Sequence, residues 1–215
     1  MEKYYNAVLF DWDGTLAETI KLWLKAFKDT FKRYNTFPTE KDVLEHSYGK
    51  KDGSSYFGIT NYAEFNALLY NNISLNYSKT PLFVGVKDTL SKLHGNGFKV
   101  CIVSSTKKSL LVEAIKYHQI DKYIDEIIGS DNLKNLKPNP EQIELAIKSL
   151  SLIKSKTVLV GDSDKDLIAS KNAGIDSILF LPLENLSYNS EEELIKLQPT
   201  YMVSYLKDIL PIFKL

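Results

Sequence analysis

Apolar residues gather along the chain in short runs at residues 7–10, 100–103, 157–160 and 175–181, each rich in Val, Ile and Leu and none alternating cleanly with polar positions. Runs of this length suit strands buried on both faces. Between them the spacing turns helical, at residues 87–93, 109–117, 141–150 and 164–173. Gly174 stands where a helix ending at Ala173 needs a terminator before the next strand. Strands alternating with helices predict an α/β fold, a Rossmann-like parallel sheet with right-handed crossovers.

One stretch breaks the alternation. From Glu18 to about Tyr77 the periodicity is helical throughout, which predicts an inserted α-helical domain at residues 17–81 in a core made of 1–16 and 82–215. Its first helix, at 18–34, places Leu22, Leu24, Phe27 and Phe31 at spacings that form an apolar stripe, with Lys21, Lys25, Lys28 and Lys32 largely opposite as a solvated face. A second helix starts near Thr39, where Pro38 precedes it and Asp42 three residues later echoes a capping box. A third covers 63–75. Between the second and third lies a polar loop, residues 48–55, with Gly49, Lys50, Lys51 and Gly53.

Composition acts mainly by exclusion. With 215 residues and 44% hydrophobic content the chain can bury a sizeable core. Twenty-seven basic residues balance twenty-seven acidic ones, so no global field gathers nucleic acid or anionic lipid, and any anion must be held by a local site. The single cysteine, Cys101, cannot pair within the chain and lies in an apolar run, as a core residue of a reducing compartment would. The Met-Glu-Lys-Tyr-Tyr-Asn start carries no apolar signal stretch, and no run approaches the ~18 residues of a membrane span. The expectation is a cytoplasmic monomer or homodimer with neither membrane nor nucleic acid as partner.

Four polar clusters follow predicted strands, at the carboxyl edge where open α/β sheets bind ligands. Asp11-Trp12-Asp13-Gly14-Thr15 puts two acids one residue apart, and their charges repel unless a cation neutralises them or one takes a proton. Ser104-Ser105-Thr106-Lys107 offers hydroxyls, N–H groups and a helix start to an anion. Lys137-Pro138-Asn139-Pro140-Glu141 fixes a loop with two prolines and launches a helix. Gly161-Asp162-Ser163-Asp164-Lys165-Asp166 adds the oxygen ligands that magnesium prefers. Each alone has a bland reading as an Asx turn, a helix cap, a surface lysine or an acidic helix start.

Jointly, and over nearly the whole chain, these clusters resemble the four motifs of the haloacid dehalogenase-like hydrolases in the family's order. They are most similar to the subgroup of phosphoglycolate phosphatases and β-phosphoglucomutases, whose helical cap follows the first motif. This chain departs from the subgroup in Glu18-Thr19, where relatives commonly carry Asp then Ser or Thr, and in the bulky Trp12. The resemblance implies a magnesium-dependent phosphatase of a small phosphorylated metabolite. Asp11 would be the nucleophile and Asp13 the general acid and base. Magnesium would be held by Asp11, the Asp13 carbonyl and Asp162, with Asp166 as ligand or orienting group. Ser104, the Ser105 amide and Lys137 would bind the phosphoryl oxygens, with Lys107 adding a substrate contact. Apart from the resemblance, the Gly49-Lys50-Lys51 loop is expected to reach over the site, with Lys50 or Lys51 pairing with an anionic leaving group, against the bland reading of a solvent-facing loop. His46, His94 and His118 fall outside the motifs and are assigned structural roles. The same motifs would serve a sugar phosphomutase, and a catalytically silent phosphate-sensing relative would carry them too. Dehalogenase and phosphonatase chemistry, and a receiver-type signalling module, match this order of motifs less well.

Overall fold

The computed structural model of the chain describes residues 4–50, 52–131 and 133–215. Six parallel strands form one sheet in the order β3-β2-β1-β4-β5-β6. They are β1 (Ala7–Phe10), β2 (Lys99–Val103), β3 (Glu126–Ile128), β4 (Thr157–Gly161), β5 (Asp176–Phe180) and β6 (Tyr201–Val203). The four runs read from the sequence are β1, β2, β4 and β5. The two edge strands were not anticipated: each has three residues, and β3 is half-buried along its length, so neither makes an apolar run.

The lack of alternation in the central strands has a direct cause. Along β1, Val8 and Phe10 point into one apolar layer while Leu9 points into another, so every position is buried. The first layer is closed by helices α4 (Val86–Gly95) and α5 (Lys108–Tyr117) through Leu90, Leu93, Leu111 and Ile115. The second is closed by α6 (Glu141–Ser149) and α7 (Asp164–Ala173) through Ile143, Ala146, Ala169 and Ala173. Helices on both faces are what a parallel sheet requires. Gly174 ends α7 in the left-handed conformation, φ 72°, as its position predicts.

The chain leaves the sheet at Ala17 and returns at Leu82, where the two residues form a β-bridge and the Glu18 N–H donates to the Pro81 carbonyl at 2.9 Å. Between these points lie α1 (Ile20–Lys32), α2 (Glu40–His46) and α3 (Tyr62–Tyr77), with no strand among the described residues. Thr39 and Asp42 form the anticipated capping box. On α1 the buried face is Ile20, Trp23, Leu24, Ala26, Phe27, Thr30 and Phe31, while Lys21, Lys25, Lys28 and Lys32 are exposed. Leu22 is only half-buried, and Trp23 rather than Leu22 lies at the centre of the stripe. No helix among the described residues is long and apolar enough to cross a membrane.

Candidate active site

Pairing registers bring three strand ends together. Phe10 pairs with Ile102 of β2 and Val160 of β4, so the residues just beyond them, Asp11, Ser104 and Asp162, converge where the strand order reverses direction. Lys137 arrives from the loop between β3 and α6, and its peptide bond to Pro138 is cis. Its ammonium lies 2.9 Å from Asp11 Oδ1 and 2.6 Å from Asp166 Oδ1, and it also donates to the Val103 carbonyl at 3.1 Å.

Asp11, Asp162 and Asp166 are all buried and offer carboxylate oxygens within 4.8 Å of one another. Three carboxylates against one ammonium leave excess negative charge away from water. Burial, with Asp166 and Asp13 adding to it and Lys137 opposing, pushes Asp11 up to about 7. Burial also drives Asp162 well above the ordinary carboxylate range, reinforced by Asp166 and Asp11. For Lys137 burial alone would favour loss of the proton, but Asp11 and Asp166 outweigh it and hold the ammonium charged. A cluster of hard oxygen donors that strains against its own charge fits a divalent metal ion. The packing leaves little latitude: at Gly14, φ 81°, a Cβ would run into the Asp162 carboxylate, and at Gly161 into that of Asp166.

The ligand-bearing side chains are fixed from behind. Asp162 accepts from Thr15 Oγ1 at 3.1 Å and Asn185 Nδ2 at 3.1 Å, and the same amide of Asn185 holds the Gly14 carbonyl at 2.7 Å. Asn189 Nδ2 donates to the Asp162 backbone carbonyl at 3.1 Å. Asp166 accepts from the Ser163 N–H at 3.1 Å and its hydroxyl at 2.6 Å, so one oxygen caps α7 while the other meets Lys137. That geometry suits the orienting role for Asp166 better than the ligand role.

Asp13 sits differently. Its carboxylate accepts from Thr19 Oγ1 at 2.7 Å, Trp23 Nε1 at 2.8 Å, Tyr77 OH at 3.0 Å, Ser104 Oγ at 3.2 Å and Thr106 Oγ1 at 2.8 Å. The first three donors come from the helical insert and the last two from the core, so this acid is a joint between them. Ser104, anticipated as a phosphoryl ligand, has its hydroxyl on Asp13 here, and α5 starts only at Lys108, so Ser104 caps no helix. The core-side loop is held by Gln142 Nε2, which donates to the Ser104 carbonyl at 2.7 Å.

Two cavities meet at Asp13. One, of about 350 Å³, is lined by Asp11, Ser104, Ser105, Lys137, Asp162 and Lys165. The other, of about 310 Å³, runs under the insert past Trp23, Tyr70 and Lys107. Tyr48, Gly49 and Lys50, in the loop after α2, line both. Lys165 reaches up from α7 to donate to the Tyr48 carbonyl, tying that loop to the core. Lys50 turns its ammonium to the Glu45 carbonyl at 2.6 Å, and Lys107 lies 4.2 Å from the centre of the Tyr70 ring. Lys51 lies outside the described residues. The histidines stand apart from both cavities, His118 Nε2 donating to the Thr80 carbonyl at 2.9 Å and His46 stacking on Tyr56.

Sequence reading missed Thr19, Trp23, Tyr77, Asn185 and Asn189. The two asparagines could have been found, since they follow β5 at the same carboxyl edge as the four clusters. Trp23 and Tyr77 could not, because an aromatic on an amphipathic helix reads as core.

The sequence profile of haloacid dehalogenase-like hydrolases matches residues 8–180. The pyrophosphatase PpaX of Halalkalibacterium halodurans is 28% identical over 225 residues, covering 96% of each chain, and that of Bacillus mycoides is 28% identical over 217 residues, again covering 96% of each. Among solved structures, CbbY from Rhodobacter sphaeroides in complex with phosphate superposes with a TM-score of 0.83 at 22% identity, over 98% of this chain and 100% of that one. A haloacid dehalogenase-like family hydrolase from Streptococcus pneumoniae gives 0.83 at 20% identity, over 98% of this chain and 99% of that one. Those two likenesses concern the fold alone. With a family profile spanning most of the chain, this protein belongs to the haloacid dehalogenase-like hydrolases.

Proposed function

We propose that the chain is a magnesium-dependent phosphatase acting on a small phosphorylated metabolite through an aspartyl-phosphate on Asp11, with residues 17–81 as its cap. The observation that carries this is the placement of Asp11: its carboxylate faces the cavity shared with Ser105 and Asp13, is paired with Lys137 at 2.9 Å, and lies in the triad with Asp162 and Asp166. Bound magnesium would be held by Asp11, Asp162 and the Asp13 carbonyl, and would supply charge neutralisation for nucleophile and phosphoryl group.

In the first step an Asp11 oxygen bonds to phosphorus as the bond to the leaving oxygen breaks, and Asp13 gives that oxygen a proton. In the second, water bonds to phosphorus, Asp13 takes its proton, and the bond to Asp11 breaks to release phosphate. Proton transfer of this kind contributes roughly 10² to 10⁴ in rate. Lys137 screens Asp11 from the incoming dianion, and the Ser105 amide faces the phosphoryl oxygens. Asp13 must let go of at least one of its five donors to meet the leaving oxygen, and three of those donors ride on the cap. Cap movement therefore frees the acid and readmits water for the second step.

The test is phosphate release from a panel of phosphorylated metabolites with magnesium and with EDTA. Release that persists undiminished in EDTA removes the metal from this reading, and isomerisation of a sugar phosphate without release makes the enzyme a mutase.

Magnesium should also stabilise the fold, and more so at high pH. Asp11, raised to about 7, and Asp162, also raised, bind protons in the folded metal-free protein that an incoming cation must displace. At pH 6 protons compete; at pH 8 Asp11 is an anion whose burial costs stability until the cation arrives. The expected result is a larger magnesium-induced rise in Tm at pH 8 than at pH 6, measured against EDTA. Equal rises would place the ion elsewhere.

A further inference from the structure

We infer that the leaving group carries a flat ring system, seated in the cavity beyond Asp13. This rests on the phosphatase reading and deepens it. The cavity beyond Asp13 measures about 310 Å³, at the small end of the roughly 300–1,000 Å³ typical of ligand sites. That is room for one compact ring system.

Two helices supply its apolar wall, and Ser47, Ser105, Thr106 and Ser130 supply much of its polar remainder. On α1, Trp23 and Phe27 stand one turn apart, and on α3, Ala63, Ala67 and Tyr70 share a face. The rings pack edge to face, Trp23 against Tyr70 with centroids 5.7 Å apart and against Tyr48 at 6.1 Å. Ala63 and Ala67, both exposed, are the small positions that leave the space open. The room is thus made by absent side-chain volume between aromatic faces, which favours a flat guest.

The wall also carries Lys50 and Lys107, whose partners, the Glu45 carbonyl and the Tyr70 ring, are uncharged. A ring with polar or anionic substituents is therefore accommodated as well as a plain one, and the phosphoryl end falls in the Lys137 chamber.

The experiment compares kcat/KM, with magnesium, for benzyl phosphate and uridine 5′-monophosphate against glycerol 3-phosphate, 2-phosphoglycolate and pyrophosphate, with acetyl phosphate as a substrate whose small leaving group makes little use of the cavity. Ring-bearing esters are expected to lead the non-ring substrates by at least about tenfold, the scale on which apolar pockets discriminate. In Ala67→Phe, which fills the cavity, the ratio of benzyl phosphate to acetyl phosphate should fall by about tenfold or more. The readout is a ratio, so partial loss of folded enzyme cancels. Pyrophosphate or phosphoglycolate leading the panel, or an unchanged ratio in Ala67→Phe, overturns the inference and leaves the phosphatase standing. No release from any substrate, acetyl phosphate included, overturns both.

Discussion

Asp11→Asn is expected to lower phosphate release by roughly 10⁴-fold or more, the scale seen when a covalent nucleophile is removed, while leaving the protein as stable as the parent or more so in EDTA at pH 8. The two halves have one cause. The amide keeps the shape of the carboxylate but cannot form the acyl phosphate. It also brings no charge into the buried cluster. In the parent, burial pushes Asp11 up to about 7, above its unfolded value, so this group works against the fold as pH rises from about 4 through 7 and is mostly ionised at pH 8. Removing the charge relieves that opposition, and Lys137 retains Asp166 at 2.6 Å as its partner. Phosphate release and thermal melts on the same preparation check both halves. An inactive variant that also melts well below the parent would mean that Asp11 serves the fold, and activity within tenfold of the parent would move the nucleophile elsewhere.

That the acid cluster was visible in the sequence while the shell around Asp13 was not follows from where each sits. Asp11 and Asp162 come directly after buried apolar runs and Lys137 directly before a pair of prolines, so strand position and chemistry point to the same places. β1, β2, β4 and β5 were legible because both of their faces are buried. β3 and β6 were not, being three residues long and partly exposed at the sheet edges. The donors to Asp13 come from residue types that ordinarily fill cores and caps: Trp23 and Tyr77 lie on helices, and Thr19 precedes one. Only the return of the chain from Ala17 to Leu82 lays those helices over the sheet edge and aims their polar atoms at one carboxylate. Ser104 shows what the sequence leaves unsaid: it lines the cavity with Asp11 and Lys137, as its place after β2 suggested, and its hydroxyl also reaches Asp13, a contact no local pattern announces. The lysines of the cap loop were read as reaching over the site, and Lys50 does line it, though with its ammonium held by a carbonyl of its own segment.

Lys137→Met should be the most damaging single change to the metal-free fold. The lysine side chain is only 3% exposed and joins Asp11, Asp166 and the Val103 carbonyl. Methionine fills much the same volume, so packing is largely kept and the loss is electrostatic. What remains is a buried set of carboxylates with no cation among them. Breaking a buried pair from one side costs about 3–5 kcal/mol. For a chain of 215 residues, at roughly 2–4 °C per kcal/mol, that is a fall in Tm on the order of 6–20 °C in EDTA. The pH dependence carries the sign. Lys137 opposes the rise of the Asp11 pKa, so without it Asp11 holds its proton to still higher pH when folded. The deficit relative to the parent should then be smallest near pH 5, where Asp11 is protonated in the folded variant, and widen as pH rises through neutrality. Magnesium, if held by the same carboxylates, should recover part of the loss at pH 8, because one cation replaces another. A lysine that served only to meet substrate would predict lost turnover with an unchanged melt, and the pH-dependent deficit in EDTA separates that case from a lysine that holds the acid cluster together.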